Sequence, residues 1–148
     1  KYLKIGGSNV PYNTDAWDGY PKERERLFKE LKHANSVLVL TGDTHNSWVN
    51  NLYDEKDHFI GVEIGTPAIS SPNTIDTFGS LTNDIEEGFI KENKNVKWTD
   101  GKHKGYTLLR LTKDKSEISF VFVNTVKSKV YEVIDSNKFD VKPNTPII

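Results

Sequence analysis

Four aliphatic residues in a row, Val37-Leu38-Val39-Leu40, constrain this chain more than any other feature. Successive side chains of a strand point to opposite faces, so an unbroken apolar run asks for cover on both sides. The run predicts a buried strand of an α/β fold, ending at Thr41-Gly42. Just upstream, Leu27, Phe28, Leu31 and Ala34 recur at helical spacing behind Pro21, a residue suited to the first turn of a helix. The pattern predicts an amphipathic helix from about Pro21 to Ala34 that feeds the buried strand.

Downstream, Phe59 to Ile64 reads as a strand, Asp84 to Asn93 as a short helix, and Ser47 to Tyr53 fits neither period cleanly. Gly105 to Leu111 and Ser116 to Val123 are extended segments joined by the polar turn Thr112-Lys113-Asp114-Lys115, and Lys129 to Ile134 is read as a third strand. Gly6-Gly7-Ser8-Asn9 and Pro11-Tyr12-Asn13-Thr14 punctuate a first segment without periodicity, so residues 1 to 20 are read as one long ordered loop. The tail around Pro143-Asn144-Thr145-Pro146 is expected at the surface. No repeat, low-complexity tract or linker interrupts residues 1 to 148, which are read as a single α/β unit.

Composition removes several function classes. With 20 Lys plus Arg against 21 Asp plus Glu, the chain has no global positive field for a nucleic-acid polymer. No apolar run approaches the roughly 20 residues that span a bilayer. The absence of cysteine leaves oxygen and imidazole as the ligands for any metal. The chain opens on Lys1-Tyr2-Leu3-Lys4 and contains no methionine, from which an upstream portion is expected to have been removed. Gly-x-Gly-x-x-Gly, Walker-type and Gly-x-Ser-x-Gly motifs are all missing, and Ser70-Ser71 is weak evidence for a nucleophile.

The chemically informative stretch is Thr41-Gly42-Asp43-Thr44-His45, immediately after the buried strand. Open α/β sheets bind ligands at such strand ends. Asp43 and His45 stand two residues apart, so an extended turn would aim both at one ion, and the pair suits zinc, iron, manganese or nickel. A strand-end Asp also serves as a helix cap and a nearby His as a surface residue, and the spacing alone admits both readings. A second constellation, Asn13-Thr14-Asp15-Ala16-Trp17-Asp18-Gly19-Tyr20, interleaves two carboxylates with aromatics; Asp18 is read first as a cap for the following helix. His33, His58 and His103 stand in polar surroundings without partner acids at metal-ligand spacing and are read as solvated surface positions rather than ligands.

In order along the chain, Asp15-Ala16-Trp17-Asp18-Gly19-Tyr20-Pro21, Glu23-Arg24-Glu25-Arg26-Leu27 and Val39-Leu40-Thr41-Gly42-Asp43-Thr44-His45-Asn46-Ser47-Trp48 resemble the alkaline phosphatase D family of metallophosphoesterases. Gly61-Val62-Glu63, Gly65-Thr66-Pro67, Ser70-Ser71-Pro72 and Lys104-Gly105-Tyr106 extend the resemblance over about residues 12 to 126. It implies the C-terminal half of a β-sandwich flanked by helices, hydrolysing phosphate mono- or diesters in the periplasm or outside the cell. It also implies iron and calcium ions, with Asp43 and His45 in the last metal-binding motif and Asp15, ahead of Asp18, as an additional ligand. The family's earlier motifs, including a Cys ligand, have no counterpart here. The isolated chain is therefore expected to be inactive unless the upstream half or a second polypeptide completes the fold. Two readings of other classes stand beside this one: a secreted binding module stacking a ligand on Trp17, Tyr20 and Trp48, and an interaction domain that recruits a partner along exposed strand edges.

Overall fold

The computed structural model describes residues 2–5, 8–134 and 137–148. Strands β1 (Tyr2–Ile5) and β2 (Ser8–Pro11) pair as an antiparallel hairpin. Residues 1 to 20 are thus not one long loop: two four-residue strands are too short to show a period, and their mutual pairing supplies the missing order. Gly6 and Gly7 lie outside the described residues.

Helix α1 (Pro21–Leu31) carries Pro21 at its first turn and buries Phe28. It ends before Ala34; His33 and Ala34 continue only as turns whose amides reach the carbonyls of Glu30 and Leu31. Strand β3 (Leu38–Thr41) then lies parallel to β5 (Phe59–Gly65), β4 (Ser47–Tyr53) is antiparallel to β5, and β6 (Val96–Asp100) closes the order β3-β5-β4-β6. The Val37–Leu40 run is therefore an edge, not an interior, strand. Leu40 is 60% exposed, because nothing among the described residues covers that side.

Helices α2 (Thr74–Phe78) and α3 (Thr82–Glu92) connect β5 to β6. Strands β7 (Lys104–Leu111) and β8 (Ser116–Val123) form the expected hairpin in unbroken register. Both β9 (Val133–Ile134) and β10 (Lys138–Val141) pair with β8, so the third strand expected from Lys129 is only two residues long and a further one follows it.

The two larger sheets pack face to face. Val49, Val62 and Ile64 from β4 and β5 meet Ile118, Phe120 and Phe122 of β8 and Val141 of β10. On the opposite face of β4, Trp48 packs edge-on against Phe89 of α3, with ring centroids 5.2 Å apart, and Val96 completes that cluster. Burying each such side chain is worth about 1.5–3 kcal/mol relative to leaving it in water. The fold is a mixed α/β sandwich flanked by helices, without a closed barrel. No helix among the described residues is long and apolar enough to cross a membrane.

Strand β4 also buries two asparagines completely. Asn50 donates to Glu63 Oε2 at 3.0 Å, and Thr41 donates to the other oxygen of the same carboxylate at 3.0 Å. Asn51 exchanges two bonds with the backbone of Ile147, donating at 2.8 Å and accepting at 3.0 Å. These partners explain how a strand with a polar centre remains stable in a sandwich.

Candidate active-site loops

The turn from β3 to β4 carries Asp43 and His45, and both backbones occupy the left-handed region, at φ 66° and 64°. Neither residue is a glycine, and such conformations persist only where surrounding structure enforces them. The turn is therefore a strained bend rather than the extended segment expected from the sequence. Strain of this kind concentrates at functional sites.

Asp43 is exposed, while His45 is half-buried and tied down. Its Nδ1 lies 2.6 Å from the carbonyl oxygen of Pro72. A carbonyl only accepts, so this hydrogen bond requires the proton on Nδ1, an arrangement that in a neutral imidazole leaves the lone pair on Nε2. A histidine that donates through one ring nitrogen to a backbone carbonyl and offers the other has the arrangement of a metal ligand. With a carboxylate two residues away, the donor set fits an ion that accepts oxygen and imidazole. It is a partial set: among the described residues, no three His, Cys, Asp or Glu side chains group so as to hold one ion.

Asp15 is accordingly not brought together with Asp43 and His45. It sits exposed in a loop where its amide donates to Asn13 Oδ1 at 2.9 Å. The loop is closed by Gly19, where an added Cβ would lie 1.8 Å from the carbonyl oxygen of Thr14. Asp18 is not the cap expected for α1; Tyr20 occupies that position without a side-chain bond, and Asp18 instead pairs with Arg24 at 3.1 Å.

The surrounding loops meet the strained turn from both sides. Thr74, the first residue of α2, accepts from Asn46 Nδ2 at 2.7 Å, and its amide donates back to Asn46 Oδ1 at 3.3 Å. On the far side, the amide of Ile75 donates to the carbonyl of Gly101 at 2.9 Å and Asn73 donates to that of His103 at 3.3 Å. Sequence reasoning overlooked these residues. The Asn73 and Asp76 spacing was the available signal, since Asp76 accepts from the Asn73 amide at 3.1 Å as a helix start requires.

Two of the histidines read as solvated surface positions bond an acid close by in sequence. His58 Nδ1 is 3.0 Å from Asp54, and His103 Nδ1 is 2.8 Å from Asp100. Both arise from local turns, at spacings of four and three residues. Trp48, at 1% exposure, is a core residue and is unavailable to a surface stacking platform, whereas Trp17 and Tyr20 are about half exposed.

Comparison with known proteins places the chain in a family. A family model described as PhoD-like phosphatase matches residues 3–120. Alkaline phosphatase D of Bacillus subtilis (strain 168) is 34% identical over 116 residues, a match covering 73% of this chain and 19% of that protein. A solved structure, described as the structure of PhoD, superposes with a TM-score of 0.79 at 27% identity, covering 99% of this chain and 28% of its own. The chain thus spans less than a third of the length of either relative. The family match runs through the Asp15 loop, the Asp43–His45 turn and the α2 loop alike: the chain belongs to the PhoD-like phosphatase family.

Proposed function

We propose that this chain forms one wall of a metal-dependent phosphoesterase site that hydrolyses phosphate mono- or diesters. The observation that carries the reading is the His45 ring, whose Nδ1–H is committed to Pro72 and whose Nε2 is left to coordinate beside Asp43. Asp43 would contribute a carboxylate oxygen and His45 its Nε2; Asp15, which stands apart from them in this structure, would join as a further ligand only in the completed site. When bound, metal ions of the kind the family uses supply Lewis acidity toward phosphoryl oxygens and lower the pKa of coordinated water. Iron and calcium are the ions proposed here. The chain's own residues orient that chemistry: the strained turn fixes the two donors, and the Asp15 loop presents exposed Trp17 and Tyr20 toward solvent, where an ester's organic group can pack.

A partner completes the fold in this reading. Strand β3 is the outermost of its sheet and its far edge has no strand beside it among the described residues. Its aliphatic sequence and the 60% exposure of Leu40 suit cover by a further strand and apolar side chains. The proposed occupant is the upstream portion that the longer relatives possess, in a periplasmic or extracellular enzyme.

The test is phosphate release together with metal content by mass spectrometry, measured on this chain alone and after mixing with the upstream portion of a family member. Turnover only in the mixture, abolished by Asp43→Ala or His45→Ala, is the expected result. No bound metal and no turnover in either sample would sink the reading, and turnover by the pure chain would remove the need for a partner.

A further inference from the structure

Five residues close a hydrogen-bonded ring at the strained turn. His45 reaches the Pro72 carbonyl at 2.6 Å; Asn73 and Thr74 follow Pro72 directly; and Thr74 returns to Asn46, the neighbour of His45, through two reciprocal bonds. The links differ in their surroundings. The His45 to Pro72 bond is open to solvent, so water competes for both groups and the bond alone holds the ring weakly. Asn46 and Thr74 are 5% and 8% exposed, so their bonds have no such competitor.

Packing leaves this buried pair no room to move. A Cβ on Gly101 would lie 2.8 Å from Thr74 Oγ1 and 3.1 Å from Asn46 Oδ1, so the β6–β7 turn is pressed directly onto it. The Ile75 amide bonded to Gly101 fixes α2 along its axis, and the Ala68 amide bonded to the His45 carbonyl at 3.3 Å fixes the other end of the same segment.

We infer that the Asn46–Thr74 pair positions His45, seating the first turn of α2 so that the Pro72 carbonyl selects the ring's Nδ1–H tautomer and its direction. The functional meaning rests on the reading of His45 as a ligand. An imidazole that coordinates through Nε2 must hold its proton on Nδ1, whereas an unconstrained neutral histidine favours the opposite tautomer. Asn46 and Thr74 are positioning residues and need touch neither metal nor substrate.

The experiment reads the tautomer and needs no metal. In the chain labelled with 15N-histidine, long-range proton–nitrogen spectra near pH 9, well above the ordinary imidazole pKa of about 6.5, report which nitrogen of each ring is protonated. The expected wild-type result is Nδ1–H at His45. In Thr74→Val and, from the other side of the pair, Asn46→Ser, the ratio should shift toward Nε2–H by about fivefold or more, the worth of one hydrogen bond. Thr74→Ser, which keeps the hydroxyl, should restore the wild-type ratio. His58, bonded to Asp54 in the β4–β5 turn, serves as the internal control and should not change. An unchanged His45 tautomer in variants whose His58 signals show an intact fold overturns the inference. Loss of manganese(II) binding by His45→Ala tests the ligand reading instead, so the two can fail separately.

Discussion

Nδ1 of His103 stands 2.8 Å from Oδ2 of Asp100, and the same ring stacks on Phe122 with centroids 5.0 Å apart. The Asp100 hydrogen bond raises the histidine above its usual 6.5, against the opposing effect of burial and of Lys102, while Glu86 adds to the rise. Burial pushes Asp100 up, but the His103 ring and the amides of His103 and Lys102 outweigh it and leave the carboxyl below 3.8. A raised histidine gives stability that is full below the unfolded pKa and lost as pH rises through the folded one; a lowered carboxylate gives stability lost as pH falls through its folded value. The melting temperature should therefore decline as pH rises from 6.5 through the raised folded-state value, and His103→Gln should flatten that decline. The side chain is 39% exposed, so screening limits the effect to about 1 kcal/mol or less. A full slope in the variant would show that another group titrates there.

Asp54 ties α1 to the β4–β5 turn. Its hydrogen bond from Lys32 is the largest influence, burial opposes it, and the amide and ring of His58 and the amide of Lys56 add to it, holding the carboxyl far below the usual range. The side chain is 3% exposed. Its contribution is present above 3.8 and is lost as pH falls through the lowered folded pKa. Asp54→Ala should lower the melting temperature at neutral pH by about 5 °C. Asp54→Asn should remove part of the acid-induced loss, measured by thermal melts from neutral pH downward. Equal acid sensitivity in Asp54→Asn would remove Asp54 from the account.

Gly19→Ala should open the Asp15 loop, since a Cβ there meets the backbone of Thr14 and no side chain can yield. The expected cost is about 1–3 kcal/mol. Limited proteolysis should cut faster around Trp17 while hydrogen exchange in β4 and β8 stays slow. Equal cleavage rates would mean that the loop accommodates the methyl by a local shift.

Asp43→Gly separates strain from ligation. Glycine accepts a φ of 66° without penalty, so the substitution should leave the melting temperature unchanged or raise it, by up to about 1 kcal/mol in stability. Metal uptake by the completed enzyme should fall in the same variant. A destabilised Asp43→Gly chain would show that the aspartate serves the fold.

What the sequence disclosed and what it hid divide along range. Pro21 and the Phe28 spacing announced α1, and the Thr112–Lys115 turn announced the β7–β8 hairpin, because each is a local signal. Strand β4 was obscured by Asn50 and Asn51, whose partners, Glu63 and Ile147, lie 13 and 96 residues away. Asp43 and His45, two residues apart, could be singled out by eye. The left-handed geometry of both, and the closure of their turn through Thr74, depend on contacts 28 residues apart that no periodicity encodes. The exposed edge at β3 escaped notice for a different reason: an aliphatic run states that cover is needed, not which segment provides it.

The two hydrogen bonds between Asn51 and Ile147 place a temporal condition on the molecule. A side chain buried in β4 stays unpaired until Ile147, 96 residues further on, is in place, so the sandwich cannot complete its core before the chain has been made through that residue. Until then its two larger sheets stand only partly assembled.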